Sequence, residues 1–396
     1  MQEQHRSIIH LDLDSFFVSV ERLRNSRLAG LPVIIGGGGD RGVVASCSYE
    51  ARQFGVHAAM PMKLARQLCG HATYIRGDME VYSRYSRLVT DIIAEKAPLF
   101  EKASIDEHYV DISGMDRFFG CRQWASELRQ YIIRETGLPV SLGLSLNKTV
   151  SKIATGEAKP NGQLQVEPHI TRAFLDPLSI RKIPMIGPKT YHSLRNMGIA
   201  TIRTLRCIPP EILEQMMGKN GRELWKKANG IDPTPVHAWN ERKSISSETT
   251  FESDTIDTCF IHRTLTGLCE ELAHKLRKRG QLTACVSVRI RYANFDTHSL
   301  QHSLPYTAFD HVLIPACKEL FRRLHTRRMR IRLVGVRFSS LVSGCPQLNM
   351  FENTPEQAKL YQAIDKMKKK YGTQAIYRGV RSSGRTDQPI RQPTSC

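Results

Sequence analysis

Two acidic clusters lie inside otherwise apolar runs of this chain: His10-Leu11-Asp12-Leu13-Asp14 and Ser104-Ile105-Asp106-Glu107-His108-Tyr109-Val110-Asp111. A carboxylate in a buried strand is costly unless it is paired, hydrogen-bonded or bound to a cation. Strand alternation puts Asp12 and Asp14 on one face; in the second run it puts Asp106 with His108 and Glu107 with Tyr109, unless a strand end or bulge re-aims them. If the two strands are neighbours, Asp12, Asp106 and Glu107 can jointly hold hard divalent cations, which take oxygen ligands and keep positions free for substrate phosphates. The competing reading is of strand-terminal carboxylates that cap turns or pair with arginine.

The elements that must position these groups can be read from periodicity. Candidate strands are Ile8–Leu13, Pro32–Ile35, Gly42–Cys47, Phe100–Ile112 and Val140–Leu146, and helical spacing marks Met79–Ala97 and Gln123–Thr136. Alternating strands and helices over the first 170 or so residues predict a layered α/β or α+β domain. From Ile170 to about Ile231 the chain turns helical, and Pro233, Pro235 and the polar run to Lys243 read as a linker. Beyond it, strands at Ala284–Arg291 and Ile331–Ser339 and helices at Phe260–Arg279 and Phe309–His325 predict a second, smaller α/β module over 244–342. The polar end, with helical spacing in Ala358–Tyr371 and a Lys368–Lys370 run, is expected to be partly disordered.

The chain has 396 residues, with 57 Lys and Arg against 38 Asp and Glu, a formal charge of +19. That length implies several domains, and that charge a polyanionic partner, nucleic acid or an anionic membrane surface. No apolar run approaches the roughly 18 residues of a spanning helix, and Glu3, Asp12 and Asp14 interrupt the N-terminus where a signal peptide would be apolar. A soluble cytoplasmic protein is expected. Ten scattered cysteines without a CxxC pair suit reduced thiols better than a disulfide framework or a zinc site.

Four segments in this order and spacing, LDLDSFFVSVE, SYEARQFGV followed by MP, SIDEHYVDIS and LGLSLNKTVSKIATGEAKPNG, resemble the Y family of DNA polymerases, and within it the DinB type. The resemblance runs from about residue 7 to 351. It implies a right-hand fold: a ferredoxin-like palm (1–23 and 77–166), small fingers (24–76), a helical thumb with a helix-hairpin-helix (167–231), a linker (232–243), an α/β little finger (244–342) and a tail (343–396). It also implies low-fidelity, template-directed translesion synthesis on primer-template DNA from dNTPs, without proofreading. Two Mg²⁺ ions would be held by Asp12, Asp106, Glu107 and the Leu13 carbonyl, with Asp14 and Asp111 structural.

By the same resemblance Tyr49, Arg52 and Lys159 would grip the incoming triphosphate, with the backbone around Phe16 and Phe17 facing it. Tyr49 and Arg52, three apart, share one face if helical, and Arg can fork onto phosphate oxygens. Phe17 falls at the aromatic steric gate, where a ring beneath C2′ leaves no room for a ribose hydroxyl. Val44, Ala45, Ser46 and Cys47 would roof the nascent base pair, and their small size suits lesion tolerance. The run Gly36–Gly42 lacks the Gly-Lys-Ser/Thr ending of a phosphate loop and reads as a turn between two finger strands. His108 stands where the family has a small residue and is read as filling space.

The segment Ile183–Thr190 resembles a helix-hairpin-helix; Gly187 and Lys189 there would offer backbone N–H groups and charge to a DNA phosphate without reading sequence. In the second module Arg289 and Arg291, Arg330 and Arg332, and Arg337 fall on strand-like runs, where same-parity residues project together; surface arginines scattered for solubility are the alternative. Gln347, Leu348, Met350 and Phe351 resemble the short glutamine-led peptide by which bacterial polymerases dock on the sliding clamp. A monomer is expected. The rival from another class is a non-catalytic DNA-binding relative; retention of the three carboxylates with Tyr49, Arg52 and Lys159 argues against it.

Overall fold

The computed structural model describes residues 6–115, 120–238, 241–344, 354–373 and 375–379. Two units, Met1–Asn240 and Glu241–Cys396, emerge from the chain's own contacts. In the first, β1 (Ile8–Leu13), α1 (Phe16–Arg24), β2 (Val33–Gly36), β3 (Val44–Cys47), α2 (Tyr49–Gln53), α3 (Met62–Leu68), β4 (Thr73–Ile75) and α4 (Met79–Lys96) precede β5 (Leu99–Lys102), β6 (Glu107–Asp111), α5 (Cys121–Thr136), β7 (Val140–Ser145), α6 (Lys148–Ala158) and β8 (Gln163–Gln165). Five helices follow: α7 (Thr171–Leu175), α8 (Pro188–Asn196), α9 (Ile202–Arg206), α10 (Pro210–Met217) and α11 (Lys219–Ala228).

Strand β1 lies at the centre of a five-stranded sheet ordered β5-β6-β1-β7-β8. Its odd residues Ile9, Leu11 and Leu13 join Val110, Ile112, Val140, Leu142 and Leu144 in a core with Tyr82, Val89 and Ile93 of α4 and Ala125, Leu128 and Ile132 of α5. Each Val, Leu or Ile among them contributes about 1.5–3 kcal/mol of burial. Helix α4 starts where Asp78 accepts the N–H groups of Glu80 and Val81. Helix α6 covers β1 and β7 from the other face, the one that carries His10 and Asp12. It comes so close to β7 that a Cβ on Gly143 would lie 2.1 Å from the Ser151 carbonyl oxygen.

The run 100–112, read from sequence as one strand, is instead the hairpin of β5 and β6. Ala103 and Ser104 both donate their N–H to the Glu107 carbonyl and close a turn that carries Asp106. A second sheet, β3-β2-β4, packs with α2 and α3 around Ile34, Val44, Ala51, Val56 and Met62, and the glycine-rich run joins β2 to β3, as expected. The five helices enclose Ile183, Ile186, Leu194, Ile199, Ile202, Leu213 and Leu224.

In the second unit β9 (Ser244–Thr255), α12 (Thr258–Lys278), β10 (Gln281–Tyr292), β11 (Thr297–Thr307), α13 (Asp310–Leu324) and β12 (Ile331–Ser343) form a sheet ordered β11-β10-β12-β9 with both helices on one face. Strands β9 and β11, absent from the sequence reading, are its two edges. Helix α14 (Thr354–Tyr371) packs on this unit through Tyr361, which is 4% exposed and stacked on Phe309. The helical spacing read in Ala358–Tyr371 falls within this helix, and most of the rest of the tail lies outside the described residues. None of the eight cysteines among the described residues is in a disulfide. No described helix is long and apolar enough to cross a membrane.

Candidate active site

Sheet register assembles the carboxylates. Asp12 is the antiparallel partner of Glu107 on one side and of Ser141 on the other, and Leu13 donates its N–H to the Asp106 carbonyl at 3.0 Å. Asp106 precedes β6, so the alternation expected within a single strand does not govern it; its carboxylate takes the Ser104 hydroxyl at 2.5 Å. Asp12, Asp106 and Glu107 are thus gathered at one end of the central strand pair.

Two lysines complete this end. Lys159 donates to Asp12 Oδ1 at 2.5 Å, and Lys152 donates to both oxygens of Glu107 at 2.6 Å. Burial raises the Asp12 carboxyl to about 6, against the opposing pull of Lys159. The His10 imidazole, 3.9 Å from Glu107, and the Lys152 ammonium hold Glu107 down to about 2. Among the described residues no three Asp, Glu, His or Cys side chains stand as a ready-made metal cluster, since these carboxylates are turned to hydroxyl and ammonium partners.

Asp14 is a hub, 2% exposed. It accepts the Tyr49 hydroxyl at 3.2 Å, the Ser141 hydroxyl at 2.7 Å and the Asn161 N–H at 2.7 Å. Tyr49 opens α2, where the Ser48 side chain caps the helix. Arg52 lies over the Tyr49 ring at 4.6 Å and reaches Ser15 at 3.3 Å. Tyr49, Arg52 and Lys159 therefore converge on the turn between β1 and α1. Phe16 is buried, while Phe17 stacks on Tyr82. His108 is 1% exposed, its Nε2 is 3.0 Å from the Thr90 hydroxyl, and burial lowers its pKa to about 3; it sits neutral in the packing. Sequence reasoning missed Lys152, Ser141 and Asn161; the available signal for Lys152 was its place on the helical face of Lys148, Thr155 and Lys159.

Gly187 and Lys189 are exposed at the start of α8, with Pro188 in the first turn, and a Cβ on Gly187 would meet nothing within 4 Å. In the second unit Arg289 and Arg337 line a depression of about 330 Å³ on the sheet face opposite the helices, together with Ser246, Ser287 and Glu248. Arg291 bonds Thr297. Ile331, Val334, Val336 and Phe338 all point into the core, which strict alternation forbids; a register shift leaves Arg332 unmatched between Ile331 and Leu333. That bulge turns Arg330 and Arg332 to the outer face, and Arg332 lies 4.7 Å over the Phe295 ring. Gln347, Leu348, Met350 and Phe351 lie outside the described residues.

The sequence matches the impB/mucB/samB family over residues 11–156 and that family's C-terminal domain over 242–350. A protein named DNA polymerase IV from Dehalococcoides mccartyi is 38% identical over 94% of this chain and 97% of its own. The chain belongs to the Y family of DNA polymerases. Another DNA polymerase IV, from Methanoculleus marisnigri, is 38% identical over 86% of the chain and 96% of its own length. Among solved structures, a Y-family polymerase chimera of Dbh and Dpo4 is 27% identical, covers 85% of the chain and all of its own, and superposes with a TM-score of 0.78. An insertion ternary complex of Dbh DNA polymerase gives a TM-score of 0.61 at 26% identity, over 85% of this chain and 100% of its own. The α+β architecture is that of the right-hand Y-family fold.

Proposed function

We propose that Asp12, Asp106, Glu107 and the Leu13 carbonyl hold two magnesium ions beside a primer 3′ end. The enzyme is a DNA-directed DNA polymerase of the translesion type. The observation that carries the metal assignment is the pairing of Asp12 with Glu107 across β1 and β6, with Leu13 bonded to Asp106: an all-oxygen donor set suited to hard divalent cations. When bound, such ions lower the pKa of an attacking hydroxyl and neutralise the charge of a triphosphate and its leaving group.

The chain's own residues position the reactants. Tyr49, Arg52 and Lys159 bind the triphosphate of an incoming deoxynucleotide, and for this Lys159 leaves Asp12. Phe17, backed by Tyr82, stands beneath the sugar and excludes a 2′-hydroxyl. Val44, Ala45, Ser46 and Cys47 roof the base pair, and their small side chains leave room for a damaged template. Residues 1–23 and 77–166 act as palm, 24–76 as fingers, 167–231 as thumb and 244–342 as little finger, joined by the linker 232–243. Gly187, Lys189, Arg289, Arg291, Arg330, Arg332 and Arg337 track the backbone of primer-template DNA. The peptide Gln347-Leu348-Asn349-Met350-Phe351 docks on a sliding clamp, and the enzyme acts as a cytoplasmic monomer without proofreading.

Primer extension with Mg²⁺ and each dNTP tests the reading. Template-matched incorporation that disappears on chelation supports it; binding of DNA without incorporation at any metal concentration would leave only a nucleic-acid binder.

A further inference from the structure

Helix α6 carries a ladder of cations. Lys148, Lys152 and Lys159, with Thr155 between the last two, recur at i, i+4, i+7 and i+11, one face of a helix running into its C-cap. Each lysine meets a carboxylate of a different strand of the five-stranded sheet. Lys148 donates to both oxygens of Glu101 at 2.8 Å, Lys152 to both of Glu107 and Lys159 to Asp12. Thr155 holds the helix to β1 by donating its hydroxyl to the His10 carbonyl at 3.0 Å.

We propose that Lys152 is a positioning residue which neutralises and orients Glu107 in the metal-free enzyme and competes with a divalent cation for its oxygens. This rests on the assignment of Glu107 as a metal ligand. Three carboxylates crowded at one strand end repel one another. The two ammoniums of Lys152 and Lys159 reduce three negative charges to one and so keep the carboxylates together before a nucleotide arrives. Lys159 has a second task at the triphosphate; Lys152 has none, and both oxygens it uses belong to Glu107. A cation bound to Glu107 must take at least one of those oxygens. A divalent ion outbids a single ammonium at similar distance, but the competition weakens its binding when no triphosphate is present.

The geometry of this competitor is built in. The close approach of α6 to β7 at Gly143 sets the height of Lys152 above the sheet, and the register of β6 sets Glu107 beneath it. Lys152 is about one-third exposed, so it can withdraw into solvent without unpacking the helix.

The test is Mn²⁺ binding to the full-length protein without DNA or nucleotide, read as loss of the free-ion electron paramagnetic resonance signal at low ionic strength. Removing an ammonium from a partly exposed carboxylate should tighten Mn²⁺ about fivefold in Lys152→Met. Lys152→Arg, which keeps the cation, should bind Mn²⁺ like the unmodified protein, and the gain from Lys152→Met should vanish in a Glu107→Gln background. Unchanged or weaker binding by Lys152→Met, while Glu107→Gln loses affinity, overturns the competition and leaves the metal assignment standing. Mn²⁺ binding unaffected by Glu107→Gln overturns the metal assignment itself, and the competition with it.

Discussion

Phe17 lies face to face with Tyr82, ring centroids 4.4 Å apart and planes 16° from parallel. Tyr82 is fully buried and donates its hydroxyl to Glu21 at 2.8 Å, so the ring behind Phe17 cannot recede. A gate against a sugar hydroxyl needs such a backstop, because a ring free to tilt would admit the extra atom. Phe17→Ala should therefore raise ribonucleotide incorporation relative to deoxynucleotide by roughly a hundredfold, the scale of a lost steric exclusion. Single-nucleotide insertion with matched rNTP and dNTP pairs checks it; an unchanged ratio removes Phe17 from this role.

Asp106→Asn should reduce nucleotide incorporation by roughly a thousandfold while primer-template affinity changes little. The substitution keeps the size of a side chain that accepts the Ser104 hydroxyl alone among the described residues, so the fold should persist. Parallel extension and DNA-binding measurements separate the outcomes, and incorporation at the unmodified rate would refute the ligand assignment.

DNA affinity should fall steeply with salt and barely depend on sequence. Arg337→Ala should reduce the slope of log affinity against log salt by about one. Glu248 lies over Gly335, where a Cβ would come within 2.5 Å of its Cγ, and pairs with Arg289 at 2.8 Å. It neutralises part of the basic face, so Glu248→Gln should tighten binding and steepen the salt slope. Titrations at several salt concentrations would show the two variants moving in opposite directions.

Helix α14 is held by a partly buried network. Arg277 bonds Asp310 at 2.7 Å and Asp365 at 2.8 Å, lies 4.8 Å over the Tyr361 ring, and shares Asp365 with His274. Tyr361→Ala should destabilise the second unit by about 3 kcal/mol, seen as a lower thermal midpoint of its unfolding.

The same network sets an acid limit. Burial raises the Asp365 carboxyl, but the bonds from Arg277 and His274 outweigh it and leave its pKa below the usual carboxylate value of 3.8. A depressed folded-state pKa contributes stability that is complete above the unfolded value and lost as pH falls through the folded one. Undocking of α14 should thus begin only below about pH 4. Asp365→Asn, already uncharged, should remove that pH dependence, checked by amide exchange of α14 against pH.

Where a segment is buried on one whole face, its periodicity announced it. The sequence reading placed β1 at Ile8–Leu13, the observed bounds, and α4 within one residue, because Ile9, Leu11 and Leu13, or Tyr82, Val89 and Ile93, must all reach one core. Type and spacing also brought Asp12, Asp106 and Glu107 under suspicion, while Tyr49, Arg52 and Lys159 stood out only through the family resemblance. Strands β9 and β11 escaped because edge strands carry Ser, Thr, Glu and His on a solvated face, and their pairing energy comes from a neighbour distant in sequence. The hairpin inside 100–112 escaped because its turn, Ala103–Asp106, carries no glycine or proline to mark the break. Residue identity and the family resemblance together nominated the groups for the chemistry. Only the folded sheet decided that Asp12 faces Glu107, that a bulge at Arg332 sends two arginines outward, and that Lys152 rests on Glu107, because register, bulges and ion pairs are set by contacts between segments that the local chain cannot encode.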